Sequence, residues 1–360
     1  MKERERFIRT MRYEPVDRRP LHLVGIWGDT IARWRREGMP DGEDVHARLG
    51  IGPVRVANIG PKAGLFPLFE QRTIREDAEE RVFVDACGRT VRDLKGHTSM
   101  PEWIEFPVKK AADLRRVMAE HFDVDNLDAR FPADWEDQIR AAVARDDLIL
   151  IDGGCYYWTL RSLAGVEGAS YLLYDAPDVV DELFERYLTV VMEGLRRAVR
   201  AVQIDVIGFG EDVAFKTGPL ISPAMFRRFI LPRYLTAMKF AREHGVELTW
   251  YDSDGDVRAL IPDYLSVGIN TVAPCEVAAG MAPAELRGRF GRELRMIGGI
   301  DKREVAKGRE AIRAEIARNK PVIDEGGYIP AIDHSVPADV SYDDYRYFLD
   351  VLLKALKQDA

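Results

Sequence analysis

At 360 residues the chain has room for one large domain or two ordinary ones. It is 46% hydrophobic and 31% charged and has no apolar run near the roughly eighteen residues of a membrane helix, so it reads as a soluble globular protein. The formal charge of −8 is spread along the sequence, which excludes the basic stripe of a nucleic-acid binder. Three separated cysteines, Cys87, Cys155 and Cys275, exclude a disulfide framework and a CxxC zinc knuckle. That cysteine usage, with a charged start (Met1-Lys2-Glu3-Arg4-Glu5-Arg6) instead of an apolar signal core, points to the cytoplasm.

Phe7, Ile8 and Met11 predict a short amphipathic helix over 3–12, which Pro15 and Pro20 end. Residues 21–26 have the pattern of a buried strand, and 29–37 that of a helix with Asp29 and Thr30 available as caps. The Gly- and Pro-rich stretch 50–75 reads as irregular. Residues 81–85 and 90–93 alternate around Cys87-Gly88, which predicts a β-hairpin turning at 86–89, an embellishment on the main fold. From about residue 134 a regular alternation begins. Strands are predicted at 148–151, 205–210, 246–250 and 270–273, and in the runs ending at Asp301 and at Asp333-His334. The helices between them are predicted at 134–145, 159–173, 177–202, 222–243, 257–264, 282–289, 308–319 and 342–357. Short apolar strands separated by helices, with no linker composition between them, predict one α/β domain over 1–360, a (β/α)8 TIM barrel.

The residues at the strand exits share a character: Cys155-Tyr156-Tyr157, Glu211-Asp212, Asp252-Ser253-Asp254, Cys275-Glu276, Asp301 and Asp333-His334. In a barrel they project around one mouth, where active sites lie. So many carboxylates repel one another unless a proton, a metal ion or a basic group offsets them, and His334 and Lys216 are the nearest bases in this reading. Asp252, Asp254, Glu211 and His334 are the candidates for acid/base work. Each feature also has a purely structural explanation. Asp252 and Ser253 could cap the next helix, as could Glu211-Asp212; Cys275 could be a small buried hydrophobe; Lys216 could be solvated. Gly298-Gly299 suits close backbone approach to a ligand but also a tight turn. Tyr156, Tyr157 and Trp158 could wall a pocket or simply fill the core.

The run from Gly210 to Pro223 (GEDVAFKTGPLISP), then Ser253-Asp254-Gly255-Asp256, the run from Pro274 to Pro283 (PCEVAAGMAP), Gly298-Gly299-Ile300-Asp301, and Gly326-Gly327-Tyr328 followed by His334 together resemble the uroporphyrinogen decarboxylase superfamily. The likeness covers roughly 148–357. It implies a (β/α)8 barrel, a homodimer among the decarboxylases, and one of two chemistries: cofactor-free decarboxylation of uroporphyrinogen, or methyl transfer from a methylated corrinoid protein to a thiol or pterin, with zinc in the thiol-dependent members. The arginine-rich segment with which the decarboxylases bind substrate carboxylates is replaced here by Arg19-Pro20-Leu21-His22-Leu23-Val24-Gly25-Ile26-Trp27-Gly28. The thiol-dependent methyltransferases carry His-x-Cys where this chain has Asp252-Ser253-Asp254. The resemblance therefore implies, first, a corrinoid-dependent methyltransferase acting on a small-molecule acceptor. Asp252, Asp254 and Glu276 would bind the acceptor, and His334 would act as acid/base. Tyr156, Tyr157, Asp212, Lys216, Gly298, Gly299 and Asp301 would line the substrate site. If zinc is bound, Asp252, Cys275, Glu276 and His334 are the ligands to hand. A decarboxylase of a less anionic substrate and a non-catalytic corrinoid-binding barrel are the alternatives.

Overall fold

The computed structural model describes residues 1–46, 52–95 and 100–357. Its strands are β1 (Val56–Asn58), β2 (Arg72–Glu76), β3 (Glu80–Val84), β4 (Thr90–Leu94), β5 (Glu102–Glu105), β6 (Leu148–Gly154), β7 (Val206–Gly210), β8 (Ala214–Phe215), β9 (Gly218–Pro219), β10 (Leu248–Asp252), β11 (Thr271–Ala273), β12 (Arg295–Ile300) and β13 (Tyr328–Ile332). Seven of them form one parallel sheet in the order β1-β6-β7-β10-β11-β12-β13, with helices in the crossovers. The predicted α/β alternation is therefore present from residue 134 onward. β1, inside the stretch expected to be irregular, supplies one edge.

The sheet curls, and the alternation of side chains shows how. Leu148, Val206, Leu248, Ala273, Ile297 and Ile329, from six different strands, meet in one cluster with Phe7 and Met11 of the helix Glu3–Met11. Strand period two then sends Ile149, Ile151, Ile207, Phe209 and Tyr251 to the opposite, convex face, where the crossover helices cover them. The first helix thus plugs the concave side at the strands' amino ends. Burying Phe7 and Met11 there contributes roughly 1.5–3 kcal/mol each.

Closure of the barrel by strand pairing is the expectation that the structure corrects. Among the described residues the edges β1 and β13 do not pair, so the sheet is a curled half-barrel. Residues 21–26, expected as a strand, lie between those edges without forming a ladder. Val54 N donates to Leu21 O at 3.1 Å at one end, and Ile26 makes a single parallel bridge to Val336 at the other. Gly25 is exposed and faces Ser335, and no continuous row of paired backbone forms along the run.

The hairpin is present as β3 and β4, with Asp85 accepting from Cys87 N and Arg89 N across the turn. It is the middle of a four-stranded antiparallel sheet, β2-β3-β4-β5, whose outer strands are too exposed to carry an apolar signature. No helix among the described residues is long and apolar enough to cross a membrane.

Candidate active site

The same alternation that builds the core aims the site. On β10 the concave face carries Leu248, Trp250 and Asp252 as successive layers, and on β6 it carries Leu148, Leu150 and Asp152. Between them β7 presents, beyond Val206, only glycine: Gly208 stands beside Asp152 and Trp250 in register, and Gly210 beside Asp252. A Cβ on Gly210 would find nothing closer than Cys155 Sγ at 4.0 Å, so the missing side chain there leaves open space, whereas at Gly208 Leu150 already lies 3.1 Å from a Cβ position. That space is a cavity of about 630 Å³ whose wall includes Asp152, Cys155, Trp158, Gly208, Gly210 and Asp252, with Leu65, Leu68 and Cys87 contributed from the side of the antiparallel sheet. A second, more polar cavity of about 290 Å³ is lined by His22, Trp250, Asp252, Asp254, Gly298 and His334, among others. Trp250 and Asp252 belong to both walls, so the Asp252 carboxyl stands where the two lobes meet.

Asp252 is open to the cavities yet enclosed by protein on its other sides. That enclosure, then the neighbouring Asp254 and Asp212, pushes its pKa up to about 6, with Trp250 and His334 opposing the shift. His334 Nε2 lies 3.4 Å from Asp254 Oδ2. The contact raises the His334 pKa and lowers that of Asp254, so each favours the charged form of the other. His22 lies edge-on to Trp250 at 5.4 Å between centroids, and burial holds it neutral with a pKa of about 4. Asp152 accepts from Tyr187 Oη at 3.3 Å and Gly154 N at 3.2 Å; burial raises its pKa as well.

Glu211, Asp333, Ser253 and Glu276 turn away from the cavities. Glu211 is 0% exposed and accepts from Tyr156 N at 2.7 Å, Trp158 N at 3.1 Å and Tyr234 Oη at 2.5 Å, so it closes the start of the helix Tyr156–Asp175; burial raises its pKa to about 7. Asp333, also fully buried, accepts from Val277 N and Lys302 N. Ser253 Oγ accepts from Val213 N, and Glu276 from Gly255 N. A single pattern covers all four: a side chain at one strand's exit ties down the exit loop of another strand, often its direct neighbour, satisfying amides that would otherwise be orphaned. Asp301 caps its own short helix, Lys302–Val305, and pairs with Arg303.

Among the described residues the expected ring of acids is therefore corrected to three cavity-facing carboxylates, Asp152, Asp252 and Asp254. Asp252 and Ser253 cap no helix, because the next one, Ile261–Val267, starts well beyond them and is opened by Pro262. Tyr156 and Tyr157 are fully buried on the convex side, Tyr156 against Phe184, Tyr187 and Tyr234; they are core, and Trp158 alone of that trio walls the cavity. Lys216 is exposed in the turn of the β8–β9 hairpin. Arg161, which pairs with Asp212, and Lys302, 3.6 Å from Glu276, supply the basic offset in its place. Gly298 lines the smaller cavity at φ +97°, where a Cβ would crowd Cys275 N at 3.1 Å; Gly299 packs against Pro283. The suggested zinc set is not assembled. Cys275 is buried with its thiol toward Val272 O and its pKa pushed up to about 12, and Glu276 is engaged by Gly255 and Lys302. Among the described residues no three His, Cys, Asp or Glu side chains converge as a metal site.

Sequence reasoning passed over Asp152, His22, Arg161 and Lys302. Asp152 had a readable signal, a lone carboxylate ending the apolar run Leu148-Ile149-Leu150-Ile151. The partners of the other three are remote in sequence.

A family model described as uroporphyrinogen decarboxylase (URO-D) matches residues 156–354. A protein of Xanthomonas axonopodis pv. citri (strain 306) named uroporphyrinogen decarboxylase is 25% identical over 366 residues, covering 95% of this chain and 95% of its own. Among solved structures, a methyltransferase from Methanosarcina mazei superposes with a TM-score of 0.56 at 17% identity over 99% of this chain and 98% of that one. At that identity the likeness is one of fold.

Proposed function

The chain belongs to the uroporphyrinogen decarboxylase family, and from that premise we propose that it is a methyltransferase taking a methyl group from a methylated corrinoid, presented by a partner protein, to a small acceptor held in the smaller lobe. One observation carries the reading: among the described residues that line the two lobes there are three carboxylates and two histidines but no lysine or arginine. A substrate with many carboxylates would meet like charge there, which costs binding free energy. A neutral or cationic ligand meets no such penalty. The open, largely apolar larger lobe, with Leu65, Leu68 and Trp158 at its wall, fits the approach of a neutral macrocycle's face.

When bound, that donor supplies an electrophilic methyl carbon. The acceptor's thiol or ring nitrogen forms the new bond to that carbon and loses its proton, while the electron pair of the broken bond stays with the donor. His334 and Asp252 are the groups placed to receive the proton, His334 once it has released its own, and Asp254 orients the imidazole. Trp250 separates the lobes and keeps the acceptor beside Asp252.

A second reading, decarboxylation of a substrate with few carboxylates, is favoured by the pKa of Asp252. A carboxyl that keeps its proton to about pH 6 can supply the hydrogen that replaces CO2. One set of assays separates the two. Purified protein incubated with methylcobalamin and a panel of thiols or tetrahydrofolate is expected to methylate at least one acceptor, and uroporphyrinogen is expected to release no CO2. Failure of every acceptor, or CO2 release from uroporphyrinogen, would sink the methyl-transfer reading.

A further inference from the structure

At the opposite end of the sheet, where β11 and β12 begin, a cleft of about 520 Å³ is lined by Tyr13, Arg242, Asn270, Arg292, Glu293 and Arg295, among others. Three guanidinium groups and one carboxylate face it. Their charges are poorly neutralised. Among the described residues Arg242 has no carboxylate partner. Arg295 is held by main-chain carbonyls, donating from Nε to Met11 O at 2.8 Å and from Nη1 to Glu293 O at 3.2 Å. The carboxylate nearest Arg292 is Glu325 at 3.9 Å, and Arg287 engages that carboxylate more closely, at 3.2 Å. Burial pushes the Arg295 pKa below its usual value, more than Tyr13 and the carboxylate of Glu247 offset.

The guanidiniums are also held in place. Tyr13, in the left-handed region at φ +60°, sets its ring under Arg292, 4.2 Å from the centroid, with Arg295 at 5.6 Å and Arg287 at 5.2 Å. The ring packs directly on Gly327, where a Cβ would fall 2.2 Å from it. The Tyr13 hydroxyl donates to Arg292 O at 2.9 Å. Arg242 lies across Gly268, whose missing side chain makes room for it: a Cβ there would fall 1.7 Å from the guanidinium. Arginine forks fixed by stacking and main-chain bonds suit oxyanions, since the ordering cost is met before the ligand arrives. In a chain of net charge −8, such a cluster is an exception to the overall field.

We propose that this cleft is a binding site for a multivalent oxyanion, a phosphoryl or polycarboxylate group, gripped by Arg242, Arg292 and Arg295 at the end of the sheet remote from the candidate active site. The bound anion bridges the N-terminal segment at Tyr13 to the helix Leu231–Glu243 through Arg242 and to the start of β12 through Arg295.

The test is calorimetric titration of the full chain with inorganic pyrophosphate in one arm and citrate in the other, at low and high salt. Saturable one-to-one binding of at least one probe is expected, weakening as salt rises. Stronger pyrophosphate binding marks a phosphoryl ligand, and stronger citrate binding a polycarboxylate. Arg242→Gln and Arg292→Gln, both at exposed positions, should each weaken binding about tenfold or more, while Arg140→Gln on the distant helix Trp135–Ala144 should not. The proposal is overturned if neither probe saturates, or if the Arg242→Gln/Arg292→Gln double variant binds as well as the parent. Methyl transfer plays no part in the readout.

Discussion

Asp252 shares the concave face of β10 with Leu248 and Trp250, so its carboxyl is fixed by strand period and not by a flexible loop. Its raised pKa has a stability consequence with a definite sign. The native state holds the proton more tightly than the unfolded chain does. The stabilisation is therefore complete below about pH 4 and is lost as pH rises through about 6. Because the group is open to the cavity, the effect is on the order of 1 kcal/mol after solvent screening is discounted. Asp252→Asn should accordingly melt higher than the parent at pH 8 and match it at pH 4, while losing roughly 10²-fold in turnover; a melting series across that range, set beside the rates, checks both. The contact between Asp254 and His334 gives a second residue-scale expectation. Asp254→Asn should lower the His334 pKa, which an NMR titration of the imidazole reads directly, and the rate should then begin to rise at a lower pH if His334 must be neutral to accept a proton. Residue types alone made Asp252, Asp254 and His334 visible in the sequence. They could not separate them from Glu211, Asp301 and Asp333, because hydrogen-bond partners decide that. Glu211 is spent on Tyr156 N and Trp158 N, more than fifty positions earlier, and no local pattern records such a pairing.

At the scale of elements, the ties between strand exits explain how short strands hold an open mouth. Glu211→Ala would leave two amides and the Tyr234 hydroxyl without their acceptor and open a void beneath the helix Tyr156–Asp175. A loss of about 3 kcal/mol or more in denaturant unfolding is expected. Gly210→Val tests the other half of the design. At Gly210 a side chain has room and φ is not left-handed, so the fold should survive while the branched methyls enter the larger lobe. Near-parental melting with a strongly reduced affinity for the donor is the expected pair of results. The elements themselves were largely legible: the alternation of apolar strands and helices from residue 134, the helix that Ser222 caps through Met225 N, and the hairpin around Cys87-Gly88 all stand in the structure. β2 and β5 were not legible, since strands exposed along nearly their whole length carry no period-two contrast. Residues 21–26 misled for the opposite reason: an apolar run can be buried by packing without being paired into a sheet.

At the scale of the molecule, the first helix and the candidate active site share one column of side chains. Phe7 stacks on Trp250 at 6.2 Å and 12° between planes, Trp250 meets His22 edge-on, and Trp250 walls both lobes beside Asp252. A helix far from the mouth in sequence, and at the far end of the strands, therefore supports the partition between the two lobes. Phe7→Ala would remove that support and leave a cavity among Leu148, Val206, Leu248 and Ile329. The expected cost is about 3–4 kcal/mol in unfolding free energy. A purely structural role for the helix would lower stability and leave the folded enzyme's kinetics alone. A column that reaches the site predicts more: at a temperature where Phe7→Ala is still fully folded, KM for the acceptor should rise and Trp250 emission should shift red as the indole gains freedom. If KM and emission both stay at parental values while stability falls, the helix is only a plug, and the partition owes its position to His22 and the flanking strands.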